Sequence, residues 1–154
     1  MGHMQSQATR GFLESSSSPM TGKRPFLVSS GSFSGSGANA GHPISPINRS
    51  FDDMKNATAG VMNMNMFGVP FSGPDVCGTS GTADEELCAR WIQTSAFYPL
   101  ARQFTQDAGI EPFNMQEPTN MDMAKASLLE RLRNSRQLYT CLFEAQDHGE
   151  TCFD

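Results

Sequence analysis

The sequence predicts an α/β fold that is left unfinished. Three observations carry this. Apolar segments and amphipathic segments alternate along the chain in the order strand, helix, strand, helix, helix, strand, which is how parallel α/β units are written. The 154 residues allow one domain but fall well short of the roughly 250 that a closed eight-stranded α/β barrel takes. Hydrophobic content of 38% and charged content of 18% are low for a compact fold, so a sizeable minority of the chain is expected to be irregular.

The elements follow in chain order. Met4, Ala8 and Phe12 lie at helical spacing and predict a short helix ending at Glu14, before a linker over 15–22 that contains four consecutive serines. Residues 24–29 are an apolar run bounded by proline and glycine and read as a buried strand. A Ser/Gly-rich irregular loop is expected over 31–49. Ser50, with Asp53 three residues on, can cap a helix carrying Phe51, Met54, Thr58, Val61, Met62 and Met66, broken only by Gly60. Its methionine stripe reads as core, and Asp52 and Asp53 complement the helix dipole.

A second buried strand is expected over 67–73. Thr82 and Glu85 then have capping-box spacing before a helix through Tyr98, with Leu87, Trp91 and Ser95 on one face and Cys88 and Ile92 beside them. Residues 103–120 look irregular. A last long helix over 121–147 carries Leu128, Leu129, Leu132, Ser135, Tyr139, Leu142 and Phe143, and stops at Gly149, a natural C′ residue. Residues 151–153 begin a further strand.

Several function classes are disfavoured by composition. The net charge is −5, and no basic run exceeds Lys23-Arg24, so nothing provides the cationic stripe that nucleic acid requires. No apolar stretch approaches the ~20 residues of a membrane span, and the polar start Met1–Ser6 does not read as a secretory signal. Gly2 does fit the M-G-x-x-x-S acylation pattern, which anchors only marginally by itself.

Four cysteines, Cys77, Cys88, Cys141 and Cys152, contain no C-x-x-C pair for zinc and are too few to define a disulfide framework. No metal or cofactor is expected. His3 and His42 lack a nearby acidic or cysteine partner in sequence and read as surface or turn residues. Asn48-Arg49-Ser50 and Asn56-Ala57-Thr58 are glycosylation acceptors if the chain enters the secretory pathway.

One stretch is more organised than a loop requires. Residues 67–78, FGVPFSGPDVCG, followed by EELCARW at 85–91 and AFYP at 96–99, resemble the catalytic barrel of glycoside hydrolase family 31, with its pattern G-[VI]-P-F-x-G-x-D-[VI]-C-G-F … E-E-L-C-x-R-W … A-F-Y-P. Residues 23–42 are similar to the strand and loop K-R-P-F … G-S-G … A-G-H-W of that family, and residues 2–9 to the preceding G-H-M-x-S-x-A-T helix. This similarity makes Gly2-His3-Met4 native rather than the remnant of a tag. LYT at 138–140 and HGET at 148–151 fall where the family has L-Y-T and a following strand.

The resemblance implies about the second half of a (β/α)8 barrel, formed by the single segment 1–154. It also implies a Cys77–Cys88 disulfide that pins a strand-end turn to the next helix; the pairing of Cys141 and Cys152 stays open. Family members are retaining enzymes that use two carboxyl groups about 5–5.5 Å apart. The motif of the nucleophile, W-x-D-M-N-E, does not occur in this sequence, and the acid/base aspartate of H-W-x-G-D-N falls on Pro46, which has no proton to give.

Other sugar-contacting positions differ as well. The family arginine of S-R-S-T-F is Ser30, the tryptophan after the histidine is Pro43, the phenylalanine of D-V-C-G-F is Thr79, and the histidine of R-N-H is Phe104. Asp75, Cys77, Gly78, Cys88, Arg90, Trp91, Phe97, Tyr98, Pro99 and Arg102 stand where the family has them, and Asp75 would line the pocket floor.

The resulting expectation is a catalytically inactive barrel remnant in a structural role, with a protein partner covering its open strand edges. The alternative is a fragment of an α-glucosidase that hydrolyses O-glycosyl bonds. A third reading has a sugar held on Trp91 or Tyr98. The compartment stays open, because the sequons and the implied bridge point to a secretory or lysosomal origin while the polar start does not.

Overall fold

The computed structural model describes residues 1–104 and 110–152. Its elements are α1 (Gly2–Glu14), a 3-10 turn (Ser36–Ala38), β1 (His42–Ile44), α2 (Phe51–Met66), β2 (Ser72–Val76), α3 (Glu85–Ser95), β3 (Arg102–Gln103), α4 (Pro118–Arg133) and α5 (Ser135–His148). The strands form one parallel sheet in the order β1-β2-β3. In register, His42 lies opposite Ser72, Ile44 opposite Pro74 and Asp75 opposite Arg102. Helices α2 and α3 are the crossovers that parallel pairing demands, so the chain is two and a half β/α units of an open barrel.

The helix caps show how the sequence sets the elements. Ser50 caps α2, its hydroxyl oxygen accepting from the Asp53 amide at 3.0 Å. Helix α3 starts differently from expectation. Asp84, not Thr82, accepts from the Leu87 amide at 3.1 Å. The Glu85 carboxylate turns away from Thr82 and accepts from the amides of Gln116 (3.0 Å) and Glu117 (2.8 Å) at the start of α4. Aspartate wins because it stands immediately before the helix, where its short side chain reaches the free amides of the first turn. That leaves Glu85 to tie α3 to α4.

The strand boundaries move. The run 24–29 is not a strand: only Val28 bridges to Gly41, Pro25 has no amide to donate, and Phe26 is 69% exposed. The expected loop over 31–49 contains the 3-10 turn and the whole of β1, which Pro43 and its glycine-rich approach disguise. The strand expected over 67–73 instead occupies 72–76. Gly68 turns the chain with φ of +78°, and the glycine and proline that look like punctuation, Gly73 and Pro74, lie inside β2. Gly73 is required there because a Cβ on it would lie 1.7 Å from the Leu100 carbonyl oxygen, where the approach to β3 presses on β2.

The single C-terminal helix expected over 121–147 is two helices meeting at Asn134. Gly149 closes α5 in the left-handed region as expected, with φ of 72°. Thr151 and Cys152 are not in a strand; Phe153 lies outside the described residues. The core gathers Val61, Val76, Leu87, Cys88, Trp91, Ile92, Tyr98, Met115 and Ala124 between the sheet and helices α2, α3 and α4. No described helix is long and apolar enough to cross a membrane.

Two disulfides are closed, Cys77–Cys88 and Cys141–Cys152. The first is buried and joins the turn after β2 to α3. Cys77 itself has φ of +68°, a conformation that an L side chain rarely adopts; the bridge and the Gly78 amide donating to the Asp75 carbonyl at 3.0 Å hold it there. The second bridge ties the segment after α5 back to that helix. The Cys152 amide also donates to Asn65 Oδ1 at 2.9 Å, which fastens the segment to α2.

Candidate functional site

In parallel α/β sheets, ligand-facing groups collect at the carboxyl ends of the strands, where loops leave the sheet. Here those ends carry Pro46 beyond β1, Asp75, Val76 and Cys77 at the end of β2, and Arg102, Gln103 and Phe104 on β3. Pairing of β2 with β3 places Asp75 directly against Arg102. The guanidinium donates to one carboxylate oxygen, Oδ1, through Nε at 3.1 Å and Nη2 at 2.5 Å. The Asp75 side chain is 1% exposed and that of Arg102 29%.

The second Asp75 oxygen, Oδ2, is buried and has no hydrogen-bond partner among the described residues. A buried carboxylate normally has its acceptor capacity filled. The pair therefore offers a held negative charge with one acceptor left over. Arg102 was legible as a family-matched position, but its role as the counter-charge of Asp75 depends on the strand register.

Of the positions that differ from the family pattern, Phe104 adjoins this pair and adds no reactive group to it. Pro46 and Ser30 are exposed. The Phe104 ring lies with its centroid 5.0 Å from the Arg102 guanidinium carbon, a cation–π contact. Thr79 is spent on the loops: its hydroxyl donates to the Ile47 carbonyl at 3.3 Å, tying the turn after β2 to the chain leaving β1. His42 Nδ1 lies 2.9 Å from the Ser29 carbonyl, and His3 Nδ1 lies 3.0 Å from Ser36 Oγ. Both imidazoles serve chain packing. Asp52 and Asp53 are in the first turn of α2.

Trp91 and Tyr98 are 0% and 1% exposed. The Tyr98 hydroxyl lies 2.8 Å from Thr58 Oγ1. Neither ring presents a face on which a sugar could stack, so the reading of these residues as a sugar platform is set aside; they are core. Among the described residues no three His, Cys, Asp or Glu side chains converge on a metal-sized site.

A groove of about 420 Å³ lies elsewhere, lined by Phe97, Arg131, Leu138 and the Cys141–Cys152 bridge. In its wall the Arg131 guanidinium donates to the carbonyls of Ser95 (2.8 Å), Tyr98 (2.6 Å) and Pro99 (3.2 Å), closing the carboxyl end of α3. Burial lowers the pKa of Arg131, yet a guanidinium keeps its proton at any ordinary pH. Nothing in the residue pattern signals this contact, which spans more than thirty residues.

A run of parallel β/α units with a charge pair at the strand ends defines a segment of an α/β barrel whose ligand face is the carboxyl end of the sheet. Comparison with known proteins makes this specific. Residues 1–140 match the model of the glycosyl hydrolases family 31 TIM-barrel domain. The chain belongs to glycoside hydrolase family 31. It is 36% identical over 132 residues to the lysosomal α-glucosidase of Mus musculus, covering 84% of this chain and 14% of that protein.

Against the α-glucosidase of Mucor javanicus the identity is 39% over 117 residues, covering 76% and 13% of the two chains. Among solved structures, a family 31 α-glucosidase from Bacteroides thetaiotaomicron superposes with a TM-score of 0.83 at 26% identity, covering 94% of this chain and 24% of that one. The glucosidase II α subunit superposes with a TM-score of 0.73 at 31% identity, covering 84% and 14%. The chain thus spans about a seventh of the length of the curated α-glucosidases that it matches. The expected incomplete α/β barrel agrees with these superpositions, although the described residues supply three parallel strands and not half of the eight that a closed barrel has.

Proposed function

We propose that this chain is part of an α-glucosidase-type catalytic domain that acts on O-glycosyl bonds, and that it contributes the floor of the sugar pocket through Asp75. The observation that carries the reading is the Asp75–Arg102 pair at the strand ends, with one carboxylate oxygen unengaged. Such an oxygen can accept a hydrogen bond from a sugar hydroxyl, while Arg102 holds the carboxylate fixed in direction. Identity to α-glucosidases over more than three quarters of the chain supports the substrate class.

A second reading is that the segment has lost catalysis and serves a structural or partner-binding role. Pro46 at the family acid/base position favours it, as do Ser30 and Phe104 at the family arginine and histidine positions. So does the exposed apolar surface of α4 and α5, where Leu132, Tyr139 and Phe143 are 69%, 57% and 56% exposed.

One assay separates the two. Hydrolysis of an aryl α-glucoside needs little help for its leaving group, whereas hydrolysis of a disaccharide does. The first reading requires turnover of the aryl substrate by the catalytic domain that contains this segment, reduced at least tenfold in Asp75→Asn. Absence of turnover on both substrates, together with co-sedimentation of a second protein from a native extract, would establish the second.

A further inference from the structure

We infer that Asn56 is an N-glycosylation site and that the outer face of α2 bears the glycan. The motif Asn56-Ala57-Thr58 supplies an acceptor amide and the hydroxyl two residues on, and the structure adds two independent facts. All four cysteines are paired, which is the state of proteins matured in an oxidising compartment, where this modification occurs. The α2 register also divides the helix cleanly. Ala57 and Val61 are buried in the core at 2% and 0% exposure, while Asp52, Lys55, Asn56, Ala59 and Asn63 are exposed on the opposite side.

Around Asn56 that outward strip is polar or small, with the exposed Met62 and Met66 (41% and 77%) further along the helix, so a bulky hydrophilic group on Asn56 displaces no buried packing. The second acceptor, Asn48, is placed differently. The neighbouring Arg49 amide donates to the Ser80 carbonyl at 2.9 Å and its guanidinium to Gly81 at 2.8 Å, and Ser50 is the cap of α2. A glycan on Asn48 would stand over the carboxyl ends of β1 and β2; one on Asn56 leaves that face open. In the transfer, the Asn56 amide nitrogen attacks the anomeric carbon of a lipid-diphosphate-linked oligosaccharide. The new C–N bond forms as the C–O bond to the diphosphate breaks, the amide proton passes to a base, and the lipid diphosphate leaves.

Thr58 Oγ1 lies 2.8 Å from the Tyr98 hydroxyl in the folded chain, so the Thr58 hydroxyl is read before the helix docks, during synthesis. A glycan at Asn56 also assigns the outer face of α2 to solvent in whatever assembly the chain joins.

The test uses the protein isolated from its own cells. Enzymatic release of N-glycans in heavy-oxygen water converts a glycosylated asparagine to labelled aspartate. Trypsin then places Asn56 in peptide 56–90 and Asn48 in a separate peptide ending at Arg49. Label in peptide 56–90 is the expected result; wholly unlabelled Asn56 overturns the inference. In cells, Asn56→Gln should lose one glycan's worth of gel mobility shift while Thr58→Ser keeps it. An unchanged shift in Asn56→Gln would equally defeat the assignment.

Discussion

Removing the Arg102 side chain should destabilise the fold far more than an exposed ion pair would allow. Asp75 is 1% exposed, both of its hydrogen bonds from side chains come from Arg102, and Oδ2 has no other partner among the described residues. In Arg102→Ala the carboxylate would remain in the sheet with neither oxygen compensated. Breaking a buried pair in this way costs about 3–5 kcal/mol. Because Arg102 is 29% exposed, water can enter the space it leaves, which places the loss near the lower end, ~3 kcal/mol.

With a urea dependence of about 1.5 kcal/mol per molar, the unfolding midpoint should fall by ~2 M. Asp75→Asn keeps an acceptor and removes the charge, so it should lose about 1–2 kcal/mol. The double variant Asp75→Asn/Arg102→Gln should be more stable than the sum of its single variants by at least ~1 kcal/mol, measured by urea denaturation of all four proteins. A midpoint change below ~0.3 M for Arg102→Ala would mean that the pair is solvated like a surface bridge, and the account of a desolvated pocket floor would be wrong.

Other perturbations test the remaining contacts. Arg131→Ala removes three donations to the carboxyl end of α3 and should lower the melting temperature by ~5–10 °C, from about 2–3 kcal/mol lost; Arg131→Lys should restore less than half. The Glu85 carboxyl is held below the usual glutamate range chiefly by the Glu117 amide, which outweighs an opposing desolvation, with the Gln116 amide and Asn120 adding to the lowering. Its folded pKa is depressed, so its stabilising contribution is complete above the ordinary glutamate range and is lost as pH falls through the folded value. The protection of the Gln116 and Glu117 amides, relative to the intrinsic exchange rate at each pH, should fall on acidification through that window, and in Glu85→Gln this fall should disappear. The two disulfides each span a sequence separation of 11, so loop entropy gives both the same contribution, ~2.7 kcal/mol. Exposure then decides their order of reduction: Cys141 and Cys152 are half-buried while Cys77 and Cys88 are 4% and 0% exposed. Graded reduction with alkylation and peptide mapping should label Cys141 and Cys152 first; equal or earlier labelling of Cys77 and Cys88 would refute this.

Much of the local structure was legible because it depends on near neighbours. The Ser50 cap, the Leu87, Trp91 and Ile92 face of α3 and the Gly149 stop all follow from residues within one or two turns of each other, and side-chain spacing along a helix is fixed by 3.6 residues per turn. The methionine stripe of α2 reads as core and is not: Phe51, Met62 and Met66 are 47%, 41% and 77% exposed, and Ala57, Val61 and Asn65 are the buried residues, because the neighbouring strands and helices, not the apolar letters alone, choose the face that packs. The family resemblance, and with it the Cys77–Cys88 bridge, was legible because a run of matched residues identifies a fold directly.

What tertiary structure alone decided involves residues far apart in the chain. Gly73 and Pro74 look like a turn until the Leu100 carbonyl is seen to require a residue without a side chain at position 73. Glu85 looks like half of a local capping box until the start of α4 arrives with two free amides. Asp75 becomes a poised acceptor only when β3 aligns Arg102 against it. Local patterning specifies elements because its interactions lie within a few residues, whereas strand register and charge partnership are set by packing between segments that sequence order does not rank.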